Sequence, residues 1–167
     1  MDFLTASLQI NTTSFFEATS VVSTLAKGSA CDIKGWVVAT ASNGFVVADK
    51  SGAIFVYKAA ASTDCVIGKQ VQVTGTVSSY NKGLQVEGAS ATITYFEQDT
   101  YSYPTATVVD GAAMDAALTR TTDALAEYVQ IEGALTISGT YYNLAVAGSS
   151  NQGSIYYAND AIKAKLE

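Results

Sequence analysis

"GFVVADKSGAIFVYK", residues 44–58, consists of two short apolar runs folded about Asp49-Lys50-Ser51-Gly52. Valine, isoleucine, phenylalanine and tyrosine dominate both arms, and these residues suit a pleated, half-buried surface. Aspartate, serine and glycine between the arms supply turn chemistry. The stretch therefore reads as a β-hairpin. With Val47, Ile54 and Val56 turned inward, strict alternation turns Val46, Phe55 and Tyr57 outward.

The same grammar continues on both sides. "CDIKGWVVATA" (31–41), "QVQVTGTVSSY" (70–80) and "LQVEGASATITYF" (84–96) are further strand candidates. Asn43-Gly44, Gly68-Lys69 and Asn81-Lys82-Gly83 punctuate them. In "QVQVTGTV", Val71, Val73 and Val77 share one face and Gln72, Thr74 and Thr76 the other, so one face is core and the other is wet. Ile33, Gly35 and Val37 are inward on the first strand, which puts Lys34 and Trp36 outside. Residues 31–97 thus form a five-strand run. A glycine inside such strands, at Gly35, Gly75 and Gly133, predicts a bulge or sharp bend that curls the sheet into a small barrel.

Outside that run the signals change. Residues 1–30 form an N-terminal segment. A helix is expected within residues 14–28, where Ser14 and Glu17 fit a capping box and Gly28 a stop; Thr19-Ser20-Val21-Val22 allows a start only near Thr19. Residues 98–109, with the single proline, read as a linker. A second short helix is expected at 110–120, capped by Asp110. "IEGALTISGTYYNLAVAGSSNQGSIYY" aligns with "IKGWVVATASNGFVVADKSGAIFVY". Gly133 meets Gly35, Leu144 meets Val47, and Ile155 meets Ile54. Residues 110–167 are therefore expected to hold a helix and a truncated second unit, replaying strands one to three over 127–157 with an open edge.

Composition narrows the function classes. Of 167 residues, 49% are apolar and 14% charged, enough for a packed core. Net charge is −6. Residues 31–97 balance Asp32, Asp49, Asp64, Glu87 and Glu97 against Lys34, Lys50, Lys58, Lys69 and Lys82, and the excess acid lies after residue 100. Phosphate-neutralising cation clusters, on which nucleic-acid affinity rests, are missing. With no histidine there is no imidazole base or histidine metal site. No phosphate loop, nucleophile elbow or dinucleotide fingerprint occurs. Asp49 and Glu87 are the only acids near a barrel mouth, and Asp49 reads as a turn residue. No enzymatic activity, metal or cofactor is expected. Cys31 and Cys65 fall at opposite ends of a barrel, beyond disulfide reach, and are expected as free, buried thiols. No apolar run reaches the length of a membrane span. The abrupt Met1-Asp2-Phe3 start and the closing Leu166-Glu167, which resembles a vector scar, read as those of an expressed fragment with neighbouring domains in a longer chain.

"GFVVADKSGAIFVY" and "GKQVQVTGTVSSYNKGLQV" resemble the OB-fold. More narrowly, residues 31–97, and less closely 127–160, are similar to OB-like domains in secreted or lipid-anchored surface proteins of gut anaerobic bacteria, often labelled nucleic-acid-binding. The resemblance implies a mainly β chain: a five-stranded OB-like barrel plus a partial second OB-like repeat, with one or two short helices. It also implies a cell-envelope or extracellular location. OB-folds bind ligands on the outer face of strands two and three and the adjoining loops. Trp36, Phe55 and Tyr57 would then form an aromatic platform rimmed by Tyr80, Asn81 and Lys82. Three functions follow: a non-catalytic module for carbohydrate or another surface ligand, such as a glycan or surface protein; single-stranded nucleic-acid binding; or a structural spacer with the aromatics packed between units.

Overall fold

β1 (Ala30–Ala41) is long enough to serve two partners. Its first half, Ala30 to Trp36, pairs antiparallel with β4 (Lys69–Tyr80), and its second half, Trp36 to Ala41, pairs with β2 (Gly44–Ala48). β2 pairs with β3 (Ala53–Tyr57), β3 runs parallel to β5 (Gly83–Glu87), and β5 returns antiparallel to β4. The order β1-β2-β3-β5-β4-β1 is a closed five-stranded barrel of OB-like topology. The computed structural model describes residues 21–167.

The barrel interior follows the alternation of the sequence. Ile33, Val37, Val47, Ile54, Val56, Val71, Val73 and Val86 have no exposed surface, and Phe45, Val77, Leu84 and Cys31, with Val22 from before the barrel, complete the cluster. Full burial of each such side chain stabilises by about 1.5–3 kcal/mol. Closure gives each of β1 to β5 two neighbouring strands.

Gly35 and Gly75 mark close approaches, whereas the register shifts lie at Val37/Ala39 and Lys69/Val71. A Cβ on Gly35 would stand 2.1 Å from the Ala48 carbonyl oxygen of β2. On Gly75 it would crowd Ala91 and Val86 at 3.1 and 3.2 Å. The expected fifth strand over 84–96 is two strands. β5 ends at Glu87, a 3-10 turn spans Gly88–Ser90, and β6 (Thr92–Gln98) pairs with the outer part of β4. Gly88 allows the break: a Cβ there would press on the Tyr57 carbonyl oxygen at 2.6 Å and the Ala59 backbone at 2.7 Å.

The N-terminal helix expected within 14–28 does not extend to Gly28. Ser14, Glu17 and Thr19 lie outside the described residues, and Val22–Thr24 form a single 3-10 turn. The Asp49 carboxylate takes the Val21 and Val22 amides at 2.8 and 3.3 Å, which holds the β-branched pair against the β2–β3 turn and seats Val22 in the core. Cys31 and Cys65 are free thiols. Cys31 is buried, but Cys65 is only half-buried, in the long β3–β4 connection beside Tyr95. Burial pushes both thiols up from the ordinary value.

Beyond the barrel, β7 (Thr107–Val109) runs parallel to β8 (Val129–Ile131). Between them lies α1 (Gly111–Leu118), where the Asp110 carboxylate accepts from the Ala113 amide at 2.8 Å as its cap. β9 (Ala134–Ser138), β10 (Tyr141–Ala145) and β11 (Gln152–Ser154) form an open three-stranded meander, and the chain continues into α2 (Asp160–Leu166). Gly133 stands to Ala145 as Gly35 does to Ala48, its absent Cβ lying 2.5 Å from that carbonyl oxygen. Met114 of α1 fills the space over Gly153.

Asp115 of α1 ties down the turn before β11. It accepts from Ser149 Oγ at 2.6 Å, from the Ser150 and Asn151 amides and from Asn151 Nδ2. These donors, Ser149 first, hold its carboxyl well below the usual carboxylate range. The contribution is therefore present above the usual carboxylate value and is lost only as pH falls through the depressed one. Hydrogen exchange of the Ser150 and Asn151 amides should stay slow just below the usual value and quicken only in stronger acid. In Asp115→Asn the protection should be weaker and should not change with pH across this range. Equal exchange in the two proteins would exclude the carboxylate as the tether.

Candidate functional site

The outer face of β3 and β5 carries the first aromatic group. Phe55 and Tyr57, one residue apart in alternation, both face out with ring centroids 6.2 Å apart. Tyr157, arriving from the C-terminal sheet, stacks on Phe55 at 6.1 Å with planes 12° apart and lies 5.9 Å from Tyr57. Its seat is set by the backbone. Tyr157 has φ of 54°, its carbonyl accepts from the Ser42 amide of the β1–β2 turn at 2.8 Å, and Asn159 Nδ2 donates to the Thr40 carbonyl at 3.1 Å. A hydrogen bond to Tyr57, with burial adding to it, pushes the Tyr157 phenol up. Tyr156 continues the row, 6.1 Å from Tyr157 and 70% exposed.

The tight β4–β5 turn completes this ledge. Asn81 and Lys82 take φ of 47° and 67°, the doubly positive pattern of a two-residue hairpin turn. The turn holds Tyr80, 67% exposed, close enough for its phenol to be felt by Tyr157. Beside Phe55 and Tyr57 the floor is polar. Gln85 and Glu87 are their partners on β5, and Ser78 Oγ and Gln85 Nε2 both donate to Glu87 Oε1. Lys58 Nζ sits 5.3 Å from the Tyr57 ring centre.

Trp36 is not on that platform. Its register partner on β2 is Ala48, whereas Phe55 pairs with Val46, so the two rings are set diagonally with β2 between them. Trp36 belongs to a second aromatic group, which the reading of residues 98–109 as a plain linker did not reveal. The strap after β6 lays Tyr101 against Trp36 at 5.9 Å, Tyr103 edge-on to Tyr101 at 5.0 Å, and Tyr128 beside Tyr103 at 5.1 Å. The Tyr103 hydroxyl donates to the Val38 carbonyl, and the Asp99 amide donates to the Gly68 carbonyl at 2.9 Å, so the strap is anchored to the barrel. The only sequence signal for it was the Tyr-x-Tyr spacing of 101 and 103. Together with Val46, Ala48 and the β2–β3 turn, these residues enclose a cleft of about 860 Å³. Burial, with Tyr103 and Asp49 nearby, pushes the Tyr101 phenol up.

Asp49, on the cleft wall, is 3% exposed, and both its oxygens are engaged by backbone and Ser51 donors. It is a structural clamp with no lone pair aimed at the cleft. Among the described residues, no cluster of three or more metal-ligating side chains occurs, and no helix is long and apolar enough to cross a membrane. Comparison of the chain with protein-family models, with curated proteins and with solved structures finds no match.

Proposed function

We propose that this chain is a non-catalytic binding module of a cell-envelope protein and that the tyrosine ledge on β3 and β5 takes carbohydrate. One observation carries the reading. Tyr57, Tyr80, Tyr156 and Tyr157, the last stacked on Phe55, offer ring faces and phenol edges next to the amide and carboxylate of Gln85 and Glu87. Sugar rings need both: flat C–H faces stack on aromatics, and hydroxyls need donors and acceptors at the rim. The ledge shares β3 with the strand two–three face that OB-folds use for oligosaccharides and oligonucleotides, which supports the reading. The even balance of acids and lysines in residues 31–97 disfavours the polyanion.

A glycan array and titration calorimetry test this. The wild type should retain at least one neutral glycan. Tyr80→Ala and Tyr156→Ala should each weaken it about tenfold, the loss of one stacked ring, with an unchanged unfolding midpoint. No retained glycan, or variants binding like the wild type, would overturn the assignment. Tight oligonucleotide binding at low salt would favour the nucleic-acid reading instead.

A spacer role draws on the Phe55–Tyr157 stack and the Asn159–Thr40 hydrogen bonds, which join barrel and C-terminal sheet. Tyr157→Ala should lower the unfolding midpoint in either case, since it removes the stack on Phe55, and only a glycan module would also lose glycan affinity.

A further inference from the structure

The cleft and the ledge share a border. Val46 lines the cleft, and its direct cross-strand partner is Phe55, the first ring of the ledge. Both point outward, because Val47, Ile54 and Val56 between them are fully buried. Directly opposed side chains on a strand pair stand about 5 Å apart. On the outward side, Trp36, the buried Ala48, Val46, Phe55 and Tyr57 therefore follow one another across three consecutive strands, with Ala48 at the covered base of the cleft and Val46 its border with the ledge.

The cleft has the character of a ring-binding site. Four aromatic side chains wall it, small side chains floor it, and its volume of about 860 Å³ exceeds the needs of a single sugar ring. Its charged lining residues are Asp49, Lys50 and Glu127, one cation against two carboxylates, so it holds no excess positive charge for an anion, and the Asp49 oxygens are already taken by backbone and Ser51 donors. A bound polypeptide would ordinarily add as a strand, but β2 and β3 are paired on both sides, and on the second half of β1 the Val38 carbonyl is already taken by the Tyr103 hydroxyl. A polyanionic strand lacks its counter-charges.

We propose that cleft and ledge form one groove across β1, β2 and β3, which binds an extended, neutral glycan chain of several residues rather than a terminal monosaccharide. The cleft encloses one end of the bound stretch and the ledge stacks the other. This inference rests on the carbohydrate reading of the ledge.

The test is calorimetry with neutral hexose and N-acetylhexosamine oligomers, from disaccharide to octasaccharide, on the whole chain. Wild-type affinity should climb with length until the groove is filled. Tyr128→Ala at the cleft and Tyr80→Ala at the ledge should each weaken the longest chain about tenfold and flatten the length dependence. A disaccharide should respond to only one of the two. Both side chains are exposed, at 52% and 67%, so folding should be unaffected, which the unfolding midpoint checks. If affinity is independent of length, or if Tyr128→Ala binds the long chain like the wild type while Tyr80→Ala does not, the groove is wrong and the ledge stands alone. If no oligomer of any length binds the wild type, the carbohydrate reading itself falls.

Discussion

Gly35→Ala is expected to lower the stability of the barrel by about 3 kcal/mol or more, at the upper end of overpacking effects. The added methyl would sit 2.1 Å from the Ala48 carbonyl oxygen, well inside contact distance, and the obstacle is backbone rather than a side chain that can rotate away. Relief requires β1 and β2 to part where β1 hands over from β4 to β2, since Trp36 pairs with both Gln70 and Ala48. A closed barrel cannot spread at one seam without disturbing the next. Gly133→Ala offers an internal comparison. Its clash is with the Ala145 carbonyl at 2.5 Å, in an open three-stranded sheet that can splay, so a loss nearer 1 kcal/mol is expected. Urea unfolding followed by the single tryptophan reads the barrel directly. An unchanged midpoint for Gly35→Ala would sink the close-approach account of this glycine.

Asp49→Ala should cost about 3 kcal/mol, because it leaves several amides without an acceptor. Oδ2 holds the Val21 and Val22 amides, and Oδ1 holds the Ser51 amide at 2.7 Å, Ser51 Oγ at 2.6 Å and the Gly52 amide at 3.2 Å. One carboxylate thus closes the β2–β3 turn and pins the segment that carries Val22 into the core. Asp49→Asn should fall between alanine and wild type. Its oxygen can keep the Ser51 and Gly52 donors, while its amide faces two N–H groups in place of an acceptor. The order aspartate, asparagine, alanine in unfolding midpoint is the expected result. Alanine as stable as aspartate would show that the clamp contributes nothing net.

The barrel was legible because its information is local. Val71, Val73 and Val77, or Val47, Ile54 and Val56, sort themselves by alternation alone, and all are buried as that alternation requires. Asn81-Lys82 and Asp110 act within a few residues of themselves, as turn and as cap. Where the reading failed, the deciding partner was distant. Over the described residues 21–28 the expected helix is a single 3-10 turn at Val22–Thr24, and its place is fixed by Asp49, some 28 residues on, which accepts from the Val21 and Val22 amides. The expected fifth strand is broken by the 3-10 turn Gly88–Ser90, where the Gly88 backbone abuts the Tyr57 and Ala59 backbones and leaves no room for a Cβ.

The candidate site divides the same way. That Phe55, Tyr57, Tyr80, Asn81 and Lys82 lie on the outside of a barrel follows from pattern and turn chemistry. That Trp36 keeps company with Tyr101, Tyr103 and Tyr128, while Phe55 is stacked by Tyr157, does not. Alternation states which side of a strand a ring occupies, because neighbouring Cβ atoms must point opposite ways. Which distant rings come to rest against it depends on register across β1, β2 and β3 and on where the strap and the C-terminal sheet are anchored. A few hydrogen bonds set those positions across long stretches of chain: Tyr103 to Val38 and Asp99 to Gly68 for the strap, Ser42 to Tyr157 and Asn159 to Thr40 for the C-terminal segment.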